Sequence, residues 1–297
     1  MTRIPCLHLG YHKCASNTLR DRLFDCHPDL VNLGKPYRDE RVARLIGAVS
    51  GQDSLAYRHE DWSDIARTAL DRVPPNKAAV LSDEVFATNR GADRALMAER
   101  LFALFGPSRI VMVVRSQPDL VMSYYFHLQR GHRNESFATG LDRWWRYFDI
   151  EVLPALDYFA FAETYAAQFG RENVGVFMVE ELTANPTSFL NRLCAFTGIE
   201  AGPAHELMAG PPSNVRASAR MTAYTRWRAS FFPGVAFSRY YPKSLRYAFH
   251  GLLHGGRRAQ VAYPAGERER LVELYRESNR KLAEAYRLPL AEYGYPL

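Results

Sequence analysis

A strand that stops at a glycine and restarts as a helix within ten residues constrains this chain more than any other feature. In Leu7–Leu23, LHLGYHKCASNTLRDRL, the apolar approach of Ile4, Leu7 and Leu9 predicts a short buried strand, and Gly10 ends it. Leu19 and Leu23, four residues apart, predict the inner stripe of a helix. Between the two stand Lys13, Ser16, Asn17 and Thr18. A tight turn there exposes successive backbone N–H groups, the helix start adds partial positive charge, and the lysine adds a full one. The stretch is suited to cradling an oxyanion. Its spacing excludes a Walker A loop, which carries its lysine late and beside a glycine, in Gly-x-x-x-x-Gly-Lys-Ser/Thr. Here Lys13 comes three residues after Gly10, and the hydroxyl and amide residues follow it.

A second stretch has the same strand-to-helix form. Arg109–Arg115, RIVMVVR, is a continuous apolar run with charged ends and predicts a strand buried on both faces. Ser116-Gln117-Pro118-Asp119 has helix-start chemistry: a cap candidate, a proline in the first turn and an early acid. Val121, Met122 and Tyr125 give that helix an inner face with Ser123 on it. Arg115 and Ser123 stand eight apart, as RSQPDLVMS. An arginine fork makes two charge-assisted bonds to a phosphate, and a serine one turn into the helix adds a neutral donor.

Together these stretches resemble the sulfotransferase family. Gly10-Tyr11-His12-Lys13-Cys14-Ala15-Ser16-Asn17-Thr18 is similar to that family's 5′-phosphosulfate loop, G-x-x-K-T-G-T-T, which binds 3′-phosphoadenosine 5′-phosphosulfate (PAPS). The arginine and serine of RSQPDLVMS correspond to residues that hold the 3′-phosphate of PAPS in the family. There are two departures. Ala15 replaces a glycine, so the backbone there is expected to avoid positive φ. Asn17 replaces a threonine, though its amide still donates to a phosphate oxygen. The resemblance implies an α/β fold, a central, mainly parallel sheet flanked by helices, and PAPS as the cofactor, with no metal. It implies in-line transfer of a sulfuryl group to a hydroxyl or amine acceptor. Lys13, with the loop N–H groups and Ser16 beside it, would meet the charge growing on the leaving oxygen. The match continues through Glu180-Glu181-Leu182 and NPTSFLNRLCAFTGI to about residue 199, a part read as structural.

The acceptor must lose a proton, so a general base is expected within about 3 Å of it. Many relatives carry that base on the strand corresponding to Ala78–Leu81. That strand's end here offers Glu84 first and Asp83 second. His12 is placed to touch a phosphate or the acceptor, whereas His127 reads as a packing residue. Asn214-Val-Arg216 is assigned to the late basic loop that closes over the 3′-phosphate in related enzymes.

A chain of 297 residues, 47% hydrophobic and 24% charged, holds one large α/β domain or two small ones. One is expected: 1–297 as a single sulfotransferase domain, with a PAPS-binding core over 1–200 and a helical extension over 201–297. No apolar leader precedes the first strand, no run reaches membrane-span length, and Cys6, Cys14, Cys26 and Cys194 lack metal-site spacing. A reduced cytoplasmic setting is expected. Cys14 reads as a packing residue, with a thiol pKa lowered by the helix end as the alternative.

Elsewhere the pattern predicts short strands over 30–33 and 174–179 and helices over 62–73, 92–105, 158–169 and 265–286. Gly131–Gly140 is expected to be a mobile substrate loop, and Trp144, Trp145, Tyr147 and Phe148 in Leu141–Phe148 are read as helix-packing residues, with the lining of an acceptor pocket as the alternative. No acidic residue lies between Glu206 and Glu267, where arginines and aromatics alternate from about 214 to 258. That composition suits a surface for nucleic acid, anionic lipid or anionic glycan, with a variable lobe of solvated arginines as the alternative, and the net charge of +6 does not itself require nucleic acid. The acceptor expected is a small molecule, glycan or glycolipid, with a carbohydrate or lipid-linked glycan favoured at the inner membrane face. The competing readings are a nucleotide-dependent small-molecule kinase and a non-catalytic basic module for membranes or nucleic acids.

Overall fold

The computed structural model describes residues 4–88, 91–130, 135–210 and 261–297. Five strands, β1 (Cys6–Gly10), β2 (Leu30–Asn32), β3 (Ala78–Asp83), β4 (Arg109–Val114) and β5 (Val174–Met178), form one sheet in the order β2-β3-β1-β4-β5. Every pairing is parallel. The apolar runs of β1, β3 and β4 follow from this, because helices cover both faces of a parallel sheet and leave no wet side. The sheet core is continuous with Leu7, Leu9, Val80, Val111 and Val113, all of them buried.

Twelve α-helical segments are described. They are α1 (Ser16–Thr18), α2 (Glu40–Gly51), α3 (Glu60–Asp71), α4 (Val85–Thr88), α5 (Arg94–Phe105), α6 (Gln117–Arg130), α7 (Phe137–Arg146), α8 (Tyr158–Phe169), α9 (Val179–Ala184), α10 (Pro186–Thr197), α11 (Ala201–Met208) and α12 (Glu267–Tyr286). α1 runs straight into a π-helical segment, Leu19–Phe24, which buries Leu19, Leu23 and Phe24. The expected inner stripe is present, on a wider helical turn than the spacing suggested.

One expectation needs correction. Residues 137–140 are not part of a loop: Phe137–Gly140 is the first turn of α7. Ser136 caps it, accepting from the Thr139 N–H at 3.1 Å, and Phe137 is buried against Tyr125. A cap followed by a buried aromatic outweighs the glycine content that suggested mobility. Residues 131–134 lie outside the described residues, as do 211–260, which include Asn214, Arg216 and the basic-aromatic stretch.

β2 and β3 lie to one side of β1, and β4 and β5 to the other. The strand order therefore reverses around β1, and in open α/β sheets the crevice beyond the strand ends at such a point is where ligands bind. The register brings the important residues to that edge. Leu9 is opposite Asp83 and Gly10 is opposite Val113, so the loop after β1, the Asp83-Glu84 pair and Arg115 leave the sheet together.

Candidate active site

The loop after β1 turns tightly on itself. The Cys14 N–H donates to the Tyr11 carbonyl at 3.2 Å, and the Ser16 hydroxyl donates to the same carbonyl at 2.9 Å. Gly10 makes this fold-back possible, since a Cβ there would lie 2.7 Å from Ser16 Oγ. Lys13 and Ala15 both adopt positive φ, at 70° and 59°. This corrects the expectation for Ala15: an alanine adopts the left-handed conformation here. Its Cβ costs on the order of 1 kcal/mol in that conformation. Alternating left- and right-handed residues turn their N–H groups toward one concave side, which is the geometry of an anion nest.

The loop's side chains divide into inward and outward sets. Tyr11 is buried, its hydroxyl bonded to the Ala155 carbonyl at 2.6 Å and its ring edge-on to Tyr158, so its side chain is a core residue and only its backbone belongs to the loop. Cys14 is also buried, and burial pushes its thiol well above the ordinary range, against any thiolate role. Ser16 is buried and its proton is committed to Tyr11, so its hydroxyl holds the loop together in this conformation. Lys13 is half-buried, Thr18 likewise, and Asn17 is exposed. The His12 ring stacks on His127 and Tyr124, with centroids 5.0 and 6.0 Å away. Burial lowers its pKa, and the charges of Glu84, Lys35, Lys13 and Asp83 all act on the ring. His12 is therefore neutral, and its ring feels the charge of the β3 carboxylates.

At the end of β3 a charged cluster forms, part of which the sequence did not reveal. Glu84 is buried, with Arg20 Nη1 at 3.0 Å from one carboxylate oxygen and Lys35 Nζ at 3.4 Å from the other. Lys35 also reaches Asp83 at 2.8 Å, and Asp83 accepts from the Val85 N–H at 2.9 Å and from the Tyr37 hydroxyl. Burial pushes the Glu84 carboxyl up, but its own backbone N–H, Arg20 and Lys35 outweigh that and hold it below the usual range. Glu84 is thus ionised at neutral pH. Asp83 is committed to capping and pairing.

Lys35 is placed by a close backbone approach. The Leu33 and Lys35 N–H groups donate to the Val80 and Ser82 carbonyls at 2.8 and 3.1 Å. A Cβ on Gly34 would sit 2.4 Å from the Ser82 backbone N and O. Asn32 secures the turn, donating to the Lys35 carbonyl at 2.8 Å and accepting from the Gly34 N–H at 2.9 Å.

Arg115, immediately after β4, donates through Nη1 to the Lys13 carbonyl at 3.4 Å. The two predicted anion-binding corners therefore touch across the mouth of β1. Ser123 is half-buried on α6, whose Leu120, Val121, Tyr124 and Tyr125 face the core. Arg115's own carbonyl accepts from the Tyr158 hydroxyl at 2.7 Å. The Ser116 N–H donates to Glu180 at 3.0 Å. Trp144 is buried against Tyr124, and Trp145 stacks on Phe148 under Arg270, so these three pack helices together, whereas Tyr147, just past the end of α7, is exposed and does not pack inward as expected.

Arg20, Lys35 and Tyr37 are the site residues that sequence reasoning missed. The only local signal was for Arg20, one helical turn beyond Ser16 in a segment already assigned to the loop.

Three comparisons bear on this arrangement. Residues 100–217 match the sulfotransferase domain family, a span that takes in Arg115 and Ser123 and begins after the Gly10–Thr18 loop. No curated protein matches the chain in sequence. Among solved structures, a sulfotransferase from Alicyclobacillus acidocaldarius superposes with a TM-score of 0.61 at 18% identity, covering 99% of each chain. The sulfotransferase domain of the olefin synthase of Synechococcus PCC 7002 gives 0.47 at 14%, over 93% of this chain and 96% of that one. A mouse sulfotransferase complexed with PAP gives 0.42 at 14%, over 84% of this chain and 82% of that one. The first of these establishes the fold, and the other two, below 0.5, add nothing to it.

Proposed function

Because residues 100–217 match the sulfotransferase domain family, we propose that the chain moves a sulfuryl group from PAPS to a hydroxyl acceptor, a carbohydrate or lipid-linked glycan. The observation that carries the reading is the contact of Arg115 with the Lys13 carbonyl, which joins two anion-binding corners at the switch point of a parallel sheet. The residues fit a doubly phosphorylated nucleotide. The nest at Lys13 and Ala15 suits the 5′ end, and Arg115 with Ser123 suits the 3′-phosphate. PAPS supplies an activated sulfuryl group whose leaving oxygen gathers negative charge.

The chain's own residues then have separable tasks. Lys13 and the loop N–H groups stabilise that growing charge, being oriented before it appears. Glu84, ionised and held by Arg20 and Lys35, accepts the acceptor's proton. A second reading assigns that proton to His12, favoured by its neutral ring on the loop beside Lys13. The carbohydrate or lipid-linked acceptor rests on the basic-aromatic composition of 214–258, and so does peripheral placement at an anionic membrane. Among the described residues no helix is long and apolar enough to cross a membrane.

Lys13→Ala tests the proposal. Transfer from PAPS should be abolished with the fold intact by circular dichroism, and retained turnover would exclude the assigned role. Calorimetry with 3′,5′-ADP in the absence of Mg²⁺ separates the classes. Binding supports a sulfotransferase, Mg²⁺-dependent ATP binding supports a kinase, and no nucleotide binding supports a non-catalytic module.

A further inference from the structure

Glu180 is an unexpected neighbour for an anion site. It follows β5, and Val114 of β4 is opposite Met178, so the register brings Glu180 beside Ser116, the residue after Arg115. A carboxylate there opposes phosphate binding by simple Coulomb repulsion. It is nevertheless held firmly, one oxygen accepting from the Ser116 N–H at 3.0 Å and the other from the Tyr295 hydroxyl at 2.9 Å. Burial raises its pKa, and the Ser116 N–H, its own N–H, Tyr295 and the Arg115 charge pull it back only in part.

The residues around Tyr295 are tied to the same corner. The Ser116 hydroxyl donates to the Gly294 carbonyl at 3.5 Å. Gln117, fully buried, makes a reciprocal amide pair with Asn279 of α12 at 2.7 and 3.0 Å. Asn279 also donates to the Pro296 carbonyl at 2.9 Å. Three consecutive residues, 115–117, thus have their backbone or side chains fixed by Tyr158, Glu180, Gly294 and Asn279, the last of which is itself bonded to Pro296.

We infer that Gly294–Pro296, through Tyr295 and Glu180 and through Asn279 and Gln117, forms a clamp that positions Arg115 for the 3′-phosphate of the nucleotide. The inference rests on the reading of Arg115 as the 3′-phosphate residue. A planar guanidinium bonds a phosphate with two parallel N–H groups only when its backbone origin is fixed to within a fraction of an ångström. A strand end followed by a helix start is otherwise free to shift, because the first-turn N–H groups of α6 have no partner within the helix. Tyr295, Glu180, Gln117 and Asn279 are positioning residues in this scheme.

The test compares 3′,5′-ADP with 5′-AMP, which lacks the 3′-phosphate, by calorimetry on the full-length protein. Tyr295→Phe keeps the Glu180 charge and removes one bond, and Asn279→Ala breaks the second arm of the clamp. Each should weaken 3′,5′-ADP by roughly tenfold while leaving 5′-AMP unchanged. Should Asn279→Ala fail to fold, Tyr295→Phe alone decides. A lower melting temperature with the ratio of the two affinities unchanged would reduce the clamp to a structural tie and overturn the inference. Arg115→Ala serves as the reference. If it leaves the same ratio unchanged, the 3′-phosphate reading itself fails. If it collapses the ratio and the clamp variants do not, only the clamp fails.

Discussion

Acidification should loosen this fold chiefly through His8, in the middle of the central strand. His8 is fully buried, with Nδ1 2.8 Å from the Ser82 hydroxyl on β3 and its ring edge-on to Phe24. Its Nε2 has no partner among the described residues. Burial takes its pKa from 6.5 down to about 4, while Glu84 and Arg20, paired with each other, act on it in opposite senses. The sign follows from which state takes up the proton. Below pH 6.5 the unfolded chain binds a proton at this residue and the native chain does not until about pH 4. The contribution to stability is therefore complete above 6.5 and lost as pH falls toward 4. At about 1.4 kcal/mol per pKa unit the full loss is about 3 kcal/mol, a large share of an ordinary domain's stability. Carboxylates begin to protonate below about pH 5, so the informative window is pH 6.5 to 5. His8→Asn retains a polar atom for Ser82 and removes the titration. Urea unfolding at intervals across that window should show the parent losing roughly 2 kcal/mol and the variant distinctly less. Equal pH dependence in the two proteins would refute the reasoning.

Two further expectations concern the β3 cluster and the turn behind it. Glu84→Gln should lower kcat far more than it weakens 3′,5′-ADP binding. Because Lys35 helps hold Glu84 below the ordinary carboxylate range, Lys35→Met should move the acidic limb of the pH–rate profile upward, and an unmoved limb would dissociate Glu84 from that limb. Gly34→Ala should destabilise the protein by about 2–3 kcal/mol in urea unfolding, since its Cβ meets Ser82 backbone atoms rather than a yielding side chain, and a neutral result would contradict the close approach.

The readable parts of this chain were those whose signal is local. RIVMVVR needed only its unbroken apolar run to be recognised as β4, and the loop after Gly10 only the spacing of Lys13, Ser16, Asn17 and Thr18. Lys35 and Tyr37 were not readable, because their meeting with Asp83 and Glu84 depends on β2 lying beside β3, a tertiary fact with no local trace, and the pairing of Arg20 with Glu84 needs β1 beside β3. The same holds for Tyr295 and Glu180, which are 115 residues apart in the chain. Ala15 misled for a different reason. The absence of a glycine argued against positive φ, yet the packing of Cys14 and the Ser16 fold-back impose that backbone at a tolerable cost. At 137–140 composition suggested a loop, and the Ser136 cap was the contrary signal.

The account stands most directly on where the nucleotide sits. A crystal structure of the complex with 3′,5′-ADP should show the 5′-phosphate against the backbone N–H groups of the Gly10–Thr18 loop and Lys13. The same structure should show the 3′-phosphate on the Arg115 guanidinium at about 2.8 Å. A nucleotide bound elsewhere, or one whose two phosphates leave either corner empty, would contradict it.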